Sequence, residues 1–532
     1  MIKYKYLFFS IAISLVSYFA TLYYGKFYYD GHHYGLVYDD AINILSGSKP
    51  FKEIFFLYGF FSTIVNSIAL KIFGYEVISL LKISSIFYSL SFILIYLISN
   101  KFLENYLSFF LVLFIFFIHP VVIYPWSNYL LFLLILVSVL FFLSKSNLIF
   151  YLSALFFALS SITREGIFIY VILSIFFFLF LIFLSKNKSL KKKYNKKKIL
   201  NFFLLFLIII LIFIIYLYES NLLNDFYLHL KIPIVFLEFK DSTLINLYLN
   251  LFRYLFIDGV KNIIAETYIF LFALLFLSNI IYLSYIFFFI LKKKPLILQD
   301  IEIVFISVIS LFLFSLSVNE INIFRLICGA SLGFIVLFYI VHFKIKDKFL
   351  SKYLTYSLLI LSFSSLSLFK KNNSNIIYKT SSEMDNSIYL NLNNFKENKF
   401  DKETFFNLRS ANEIFSQIKN KDNCQIKYFV NLQRDIFFRI IAKEYFYTFQ
   451  KLPWYSNGIT EKILAKYYDN EFADNLERSI KNKNVIIIVD SQKDYVDFYD
   501  KKVYFNGYKI FYKFPYSYHH KYLAILTPLD CN

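Results

Sequence analysis

Long apolar runs, separated by short stretches rich in lysine, set the pattern of this chain. A helix needs about 20 mostly apolar residues to cross the hydrocarbon core of a bilayer. Runs of that kind occupy residues 6–24, 77–99, 106–124, 129–144, 148–163, 167–185, 199–218, 267–291, 301–318, 323–343 and 353–369. They predict a polytopic α-helical membrane protein with about eleven spans. The first run is long, ends in tyrosines and lacks a small-residue cleavage site, so it reads as an anchor rather than a cleaved signal peptide.

The polar stretches test that count. With Lys3 and Lys5 on the cytoplasmic side, loops 100–105, 145–147, 186–198, 292–299 and 344–352 share that side, and these are the lysine-bearing short loops. The opposite side receives 25–76, 125–128, 164–166, 219–266, 319–322 and everything after 370. A membrane domain over 1–369, with a first extracytoplasmic loop at 25–76, is thus followed by an extracytoplasmic module over 370–532.

Two outer segments carry patterns of their own. In the first loop, Val37, Ala41, Ile44 and Leu45 recur at helical spacing and predict a helix over 31–46, with Asp30 placed as an N-cap and Gly47 just past its end. A second apolar helix is expected over 54–73, and both would lie well on a membrane surface. The tail spreads its charges evenly. It carries strand-like runs at 425–430, 484–489 and 502–513, with helical patterning at 433–450 and 459–482, which predicts a small α/β module. Residues 371–376 form the natural linker. Cys424 and Cys531 bracket the module and could form a disulfide in an exported compartment.

Composition narrows the class. The chain is 58% hydrophobic and 17% charged, against about 45–50% and 25% for soluble domains, which excludes a soluble enzyme, coiled coil or disordered protein. Its 70 Phe and 46 Tyr accompany many Ile, Lys and Asn residues, the drift of an AT-rich genome, so the aromatic content says little about function. The net charge of +19 could suggest nucleic acid, but its lysines concentrate at 186–198 and at Lys292, Lys293 and Lys294, between apolar runs. There they mark cytoplasmic loops that face membrane lipids.

Candidate chemistry concentrates in the first outer loop. Asp30, His32, His33, Asp39, Asp40, Lys52 and Glu53 fall within one short stretch of a chain otherwise poor in charge. A carboxylate held at the end of an anchored span can act as general base on a hydroxyl or hold a divalent metal. His33 shares a helical face with Asp30 and Asp40, and His32 shares one with Asp39. Asp39 and Asp40 lie at least nine residues beyond Asp30, over about 13 Å along a helix, and are expected to matter much less.

These residues carry a resemblance. Asp30-Gly31-His32-His33, Ala41, Ser46-Gly47, the turn Gly47-Ser48-Lys49-Pro50-Phe51-Lys52-Glu53 and the step Tyr58-Gly59 resemble the first extracytoplasmic loop of GT-C-type membrane glycosyltransferases. The likeness is greatest to bacterial members that use polyprenyl-phosphate sugars, including the lipid A aminoarabinose and protein mannosyl transferases. Two positions depart from that pattern. Phe60 stands where a Pro follows the Tyr-Gly step, and Asp30-Gly31 supplies one acid where the family has a pair. The resemblance implies inverting transfer of a sugar from a polyprenyl-phosphate donor to a hydroxyl of a glycan, lipid or protein acceptor, on the outer face of the cytoplasmic membrane. It also implies that Asp30 is the base, with His32, His33, Lys52 and Glu53 around the substrate.

Such a reaction needs cations for the lipid-phosphate leaving group. Arg164 and Arg325 fall at the outer ends of spans in a chain that otherwise favours lysine, which makes both candidates. A transporter of lipid-linked saccharides would place polar residues at mid-depth in several spans, and these spans are almost purely apolar there. A polysaccharide polymerase or ligase would place its key arginines in the large loop 219–266, where Arg253 stands alone.

Overall fold

The structure, a computed structural model, describes the chain except residues 1, 28–29, 123, 165, 185–191, 240–242, 262–266, 293–295, 319–322, 346, 373–386, 422, 453–468, 499–500, 516–522 and 532. Glu165, Glu320, Lys293, Lys294 and most of the expected linker lie outside the described residues.

Each predicted span contains a helix, although the helix of the span over 106–124 ends early, at Ile118. The helices are α1 (Ile2–Gly25), α4 (Ile78–Ser99), α5 (Asn105–Ile118), α6 (Ser127–Phe142), α7 (Asn147–Thr163) and α8 (Ile167–Leu184), followed by Lys196–Glu219, Thr267–Leu291, Leu298–Leu313, the segment Ile323–Lys344 and Lys348–Asn372. Among the described residues, eight helices are long and apolar enough to cross a membrane, whereas α5, α6 and α7 are shorter apolar helices. Small polar side chains let the first helices pack closely: the hydroxyls of Ser14 and Ser17 donate across to the Ser89 and Pro120 carbonyls at 2.6 Å each.

The ends of the bundle differ in chemistry. At one end Lys344 pairs with Asp300 at 2.9 Å, Tyr282 and Tyr339 donate to the same carboxylate, and Lys193 and Tyr194 converge on Glu302. Gln299 donates to the Phe102 carbonyl and Lys193 to that of Leu143. All five loops expected on the cytoplasmic side thereby meet at one end. The first loop, the α5–α6 and α7–α8 connections and the tail gather at the other.

The first loop forms α2 (His33–Leu45) and α3 (Phe60–Phe73). The second helix starts later than its apolar pattern suggests, because Phe51 and Gly59 both take positive φ and hold 51–59 as a turn. Asp30 is not the side-chain cap of α2. That position is His32, and Asp30 instead accepts the His32 N–H at 2.7 Å. Nor does α2 rest only on a membrane surface. Tyr34, Val37, Tyr38 and Ala41 share one buried core with Leu408, Phe415, Phe437, Ile441 and Ile488 of the tail.

The tail is an α/β module. A four-stranded sheet runs β3 (Tyr428–Leu432), β4 (Val485–Val489), β8 (Ala524–Pro528), β7 (Tyr508–Lys513), with β3 and β4 parallel and the other pairs antiparallel. The expected strand over 502–513 is split by a turn at Gly507, whose φ is +79°. The expected helix at 433–450 is confined to Phe437–Ala442, and the helix Lys402–Lys419, capped by Asp401, adds to the predicted set. Cys424 and Cys531 form a disulfide, with Cα atoms 5.2 Å apart.

Candidate active site

The end of α1 and the start of α2 set Asp30 in a buried position. Its carboxylate accepts the His32 N–H and pairs closely with His33 Nδ1. Burial would raise this carboxyl, but the His33 hydrogen bond and charge outweigh it and hold the group at about 2. Burial, reinforced by the charge of His33, pushes His32 down to about 4. The histidines therefore divide their roles. His33 faces the carboxylate, and His32 turns its Nδ1 toward the Arg434 carbonyl, 3.4 Å away.

An aromatic wall from the α5–α6 connection closes over His33. Its ring lies 4.5 Å from that of Tyr124, 5.5 Å from Trp126 and 6.4 Å from Tyr58. Tyr124 and Trp126 stack on each other at 4.8 Å. Trp126 is buried, and its Nε1 has no hydrogen-bond partner among the described residues.

One candidate arginine reaches this wall, and the other bonds a residue beside it. Arg325, on the first turn of helix Ile323–Ala330, sets its guanidinium 5.2 Å from the Trp126 ring centre. His33 and Arg325 thus contact the same indole. Arg164, at the end of α7, donates to the Asn128 side chain two residues beyond Trp126. Its loop is held by Gly59, where a Cβ would lie 1.9 Å from the Thr163 carbonyl oxygen. The Tyr58-Gly59 step therefore serves two neighbours, with Tyr58 against His33 and Gly59 against the turn that carries Arg164.

Lys52 and Glu53 lie elsewhere, in an exposed turn. Glu53 accepts the Lys49 N–H at 2.8 Å, while its own N–H returns to the Lys49 carbonyl. The neighbouring Phe51 is buried against Phe56, Phe60 and His229, the last from helix Leu223–Phe239 of the large outer loop.

The tail enters the same site. The segment Gln433–Ile436 leaves β3 and docks on Gly31 and Gly35, where Ile436 donates its N–H to the Gly31 carbonyl at 3.1 Å. Asp435 lies over Gly31. Burial, only partly offset by the Phe437 N–H and reinforced by the charge of Asp30, pushes its carboxyl up to about 7. Further along α2, Asp39 is sandwiched between Arg439 at 3.0 Å and Lys443.

Trp126 and Tyr124 escape the sequence reading. The aromatics sit in a Tyr-Pro-Trp step that a Phe- and Tyr-rich composition hides. Gly31 and Gly35, four apart on one face, were the available sign that something docks closely on α2. Among the described residues no three His, Cys, Asp or Glu side chains are arranged to hold a metal ion.

No family model matches the chain, and no curated protein is significantly similar in sequence. Solved structures do match. The archaeal oligosaccharyltransferase AglB from Archaeoglobus fulgidus, solved with an inhibitory peptide and a dolichol-phosphate, aligns with a TM-score of 0.51 at 10% identity, over 92% of this chain and 69% of its own. ArnT from Cupriavidus metallidurans, bound to undecaprenyl phosphate, aligns at 0.48 with 10% identity, over 98% of each chain. What is shared with the oligosaccharyltransferase at that identity is architecture: the chain has a GT-C-like polytopic helical fold with a C-terminal α/β module.

Proposed function

We propose that this protein is an inverting membrane glycosyltransferase that moves a sugar from a polyprenyl-phosphate donor to an acceptor hydroxyl on the outer face of the cytoplasmic membrane. One observation carries the reading: His33, paired with Asp30, and the guanidinium of Arg325 contact the same buried indole. A carboxylate and a cation so placed can bracket one bond, the base on the acceptor side and the cation on the leaving-group side. The AglB structure, with its dolichol-phosphate, is consistent with a lipid-phosphate ligand for this fold.

In this reading Asp30 accepts the acceptor hydroxyl's hydrogen bond and takes its proton, and His33 fixes the carboxylate's orientation. Arg325 and Arg164 stabilise the charge that develops on the lipid phosphate, and the aromatic wall excludes water and supports the sugar. His32 holds the tail against the site, whereas Lys52 and Glu53 shape the turn beside it. Attack opposite the phosphate inverts the anomeric centre.

The test is transfer from a labelled polyprenyl-phosphate sugar in proteoliposomes. Asp30→Asn should lower turnover by about two to four orders of magnitude. Arg325→Ala should cost about 2.7–4 kcal/mol in the transition state, and Arg325→Lys should recover only part of it. A full-speed Arg325→Ala protein, or a product that retains the donor's anomeric configuration, sinks the scheme.

A further inference from the structure

Gly31 has no side chain, and the space one would occupy is filled from the far end of the chain. A Cβ on Gly31 would lie 2.0 Å from Asp435 Oδ1 and 2.8 Å from Oδ2. The placement is held from several sides. Ile436 donates its N–H to the Gly31 carbonyl, and its side chain fills the space left by Gly35. Within the loop, the Asp435 N–H donates to Gln433 Oε1 at 2.7 Å, and Oδ1 accepts the Phe437 N–H at 2.9 Å. Among the described residues Oδ2 accepts no hydrogen bond. The residue as a whole is half-buried rather than sealed in the core.

We propose that Asp435 is a second catalytic carboxylate, the final acceptor of the proton that the acceptor hydroxyl gives up. This rests on the transferase reading and deepens it. The acceptor O–H bond breaks as its oxygen bonds to the sugar's C1. The C1–O bond to phosphate breaks, its electron pair stays with the polyprenyl phosphate, and the proton passes to Asp30 and on to Asp435. No further reactant is needed.

The two acids are suited to different parts of that step. Asp30, held at about 2 by its His33 pair, orients a hydroxyl well but is a poor resting place for a proton at neutral pH. Asp435, pushed by burial to about 7, is matched to that task. The charged and titratable groups around it are Asp30, His32 and His33 at the start of α2, with Arg434 and Arg439 on its own segment. Arg439 is occupied by Asp39, so Asp30 is the charge that Asp435 feels most.

The experiment is the pH dependence of transfer in proteoliposomes, from pH 5 to 9, for the wild type and Asp435→Asn. Asn keeps the oxygen that accepts the Phe437 N–H. The wild-type kcat/KM should fall as pH drops through about 7. Asp435→Asn should be about tenfold to a hundredfold slower at pH 8 and should lose that limb. A variant that keeps both the rate and the limb overturns the relay and leaves the transferase reading standing. A wild type that transfers no sugar brings down that reading and the relay with it.

Thermal unfolding gives a second measurement, independent of turnover. The folded carboxyl is raised from the ordinary 3.8 to about 7, so the native state holds an extra proton between those values. Stability contributed by the protonated group is full below 3.8 and is lost as pH rises through about 7. The melting temperature of Asp435→Asn relative to wild type should therefore rise between pH 4 and pH 8. A difference that does not change with pH overturns the assignment.

Discussion

Asp39 and Asp40 are neighbours on α2 whose carboxyls are pushed in opposite directions. Burial alone would raise both. Arg439 and Lys443 overcome it at Asp39 and keep that carboxyl below its usual range, whereas at Asp40 burial and repulsion from Asp39 leave the group well above it. Replacing one partner of a buried ion pair costs about 3–5 kcal/mol, because the other charge stays behind. Asp39→Asn should accordingly loosen the tail from the first loop, read as faster protease cleavage within 388–452 and a lower melting temperature. Asp40→Asn keeps the size of an acid whose charged form burial disfavours and should change neither. A tail as protected in Asp39→Asn as in wild type would mean that the apolar core between α2 and the tail suffices alone. Both acids looked peripheral in the sequence, and for the reacting atoms Asp39 remains so. Its structural task was illegible because the Asp39–Arg439 bond joins residues 400 positions apart. The Asp30–His33 pair was legible because three residues along a helix is a local relation.

Among the elements, the glycines show which parts of the first-loop motif position the site. Gly47 and Gly59 share a φ of +85°, yet their surroundings differ. Gly47 ends α2 in open space, where a Cβ would meet nothing within 4 Å. Ala there should cost about 1 kcal/mol of backbone strain and leave transfer intact. Gly59, with ψ of 148°, occupies a region open essentially to glycine alone, and a Cβ would also enter the Thr163 carbonyl. Gly59→Ala should push the turn carrying Arg164 away from Asn128. The KM for the polyprenyl-phosphate donor should rise at least about tenfold, more than the melting temperature of the protein would suggest. Equal effects of the two substitutions on donor KM would show that the Tyr58-Gly59 step only terminates the turn. The elements themselves were easy to read, since a run of about 20 apolar residues declares a span. Harder to read were the short strands β1 (Ile388–Tyr389), β2 (Lys399–Phe400), β5 (Tyr495–Asp497) and β8, whose patterns are too brief to stand out from an apolar composition. The convergence of Trp126 with Arg325 was beyond sequence, because it depends on how two separate spans pack.

Over the whole molecule, the two ends of the helix bundle have divided the chain's polar chemistry between them. One end ties its loops together through Asp300, Glu302, Lys193 and Lys344, buried or half-buried groups that close the bundle. The other end assembles the proposed catalytic cluster from four separate pieces of chain and seals it with the tail. The proposed orientation puts the lysine-rich end on the cytoplasmic side and the site and the tail outside, where a disulfide such as Cys424–Cys531 persists. This orientation also decides which membrane leaflet presents the donor, so an error in it would remove the proposed substrate from reach. It can be tested with single cysteines, because Cys328 is buried and the other two cysteines are bonded. Lys192→Cys, at an exposed position of the lysine-rich loop, should resist a membrane-impermeant maleimide in intact cells and react after permeabilisation. Lys481→Cys, whose position is 72% exposed in the tail, should react in both states. The reverse pattern would put the Asp30 cluster in the cytoplasm and exclude an outer-face transferase, whatever the activity of the purified protein.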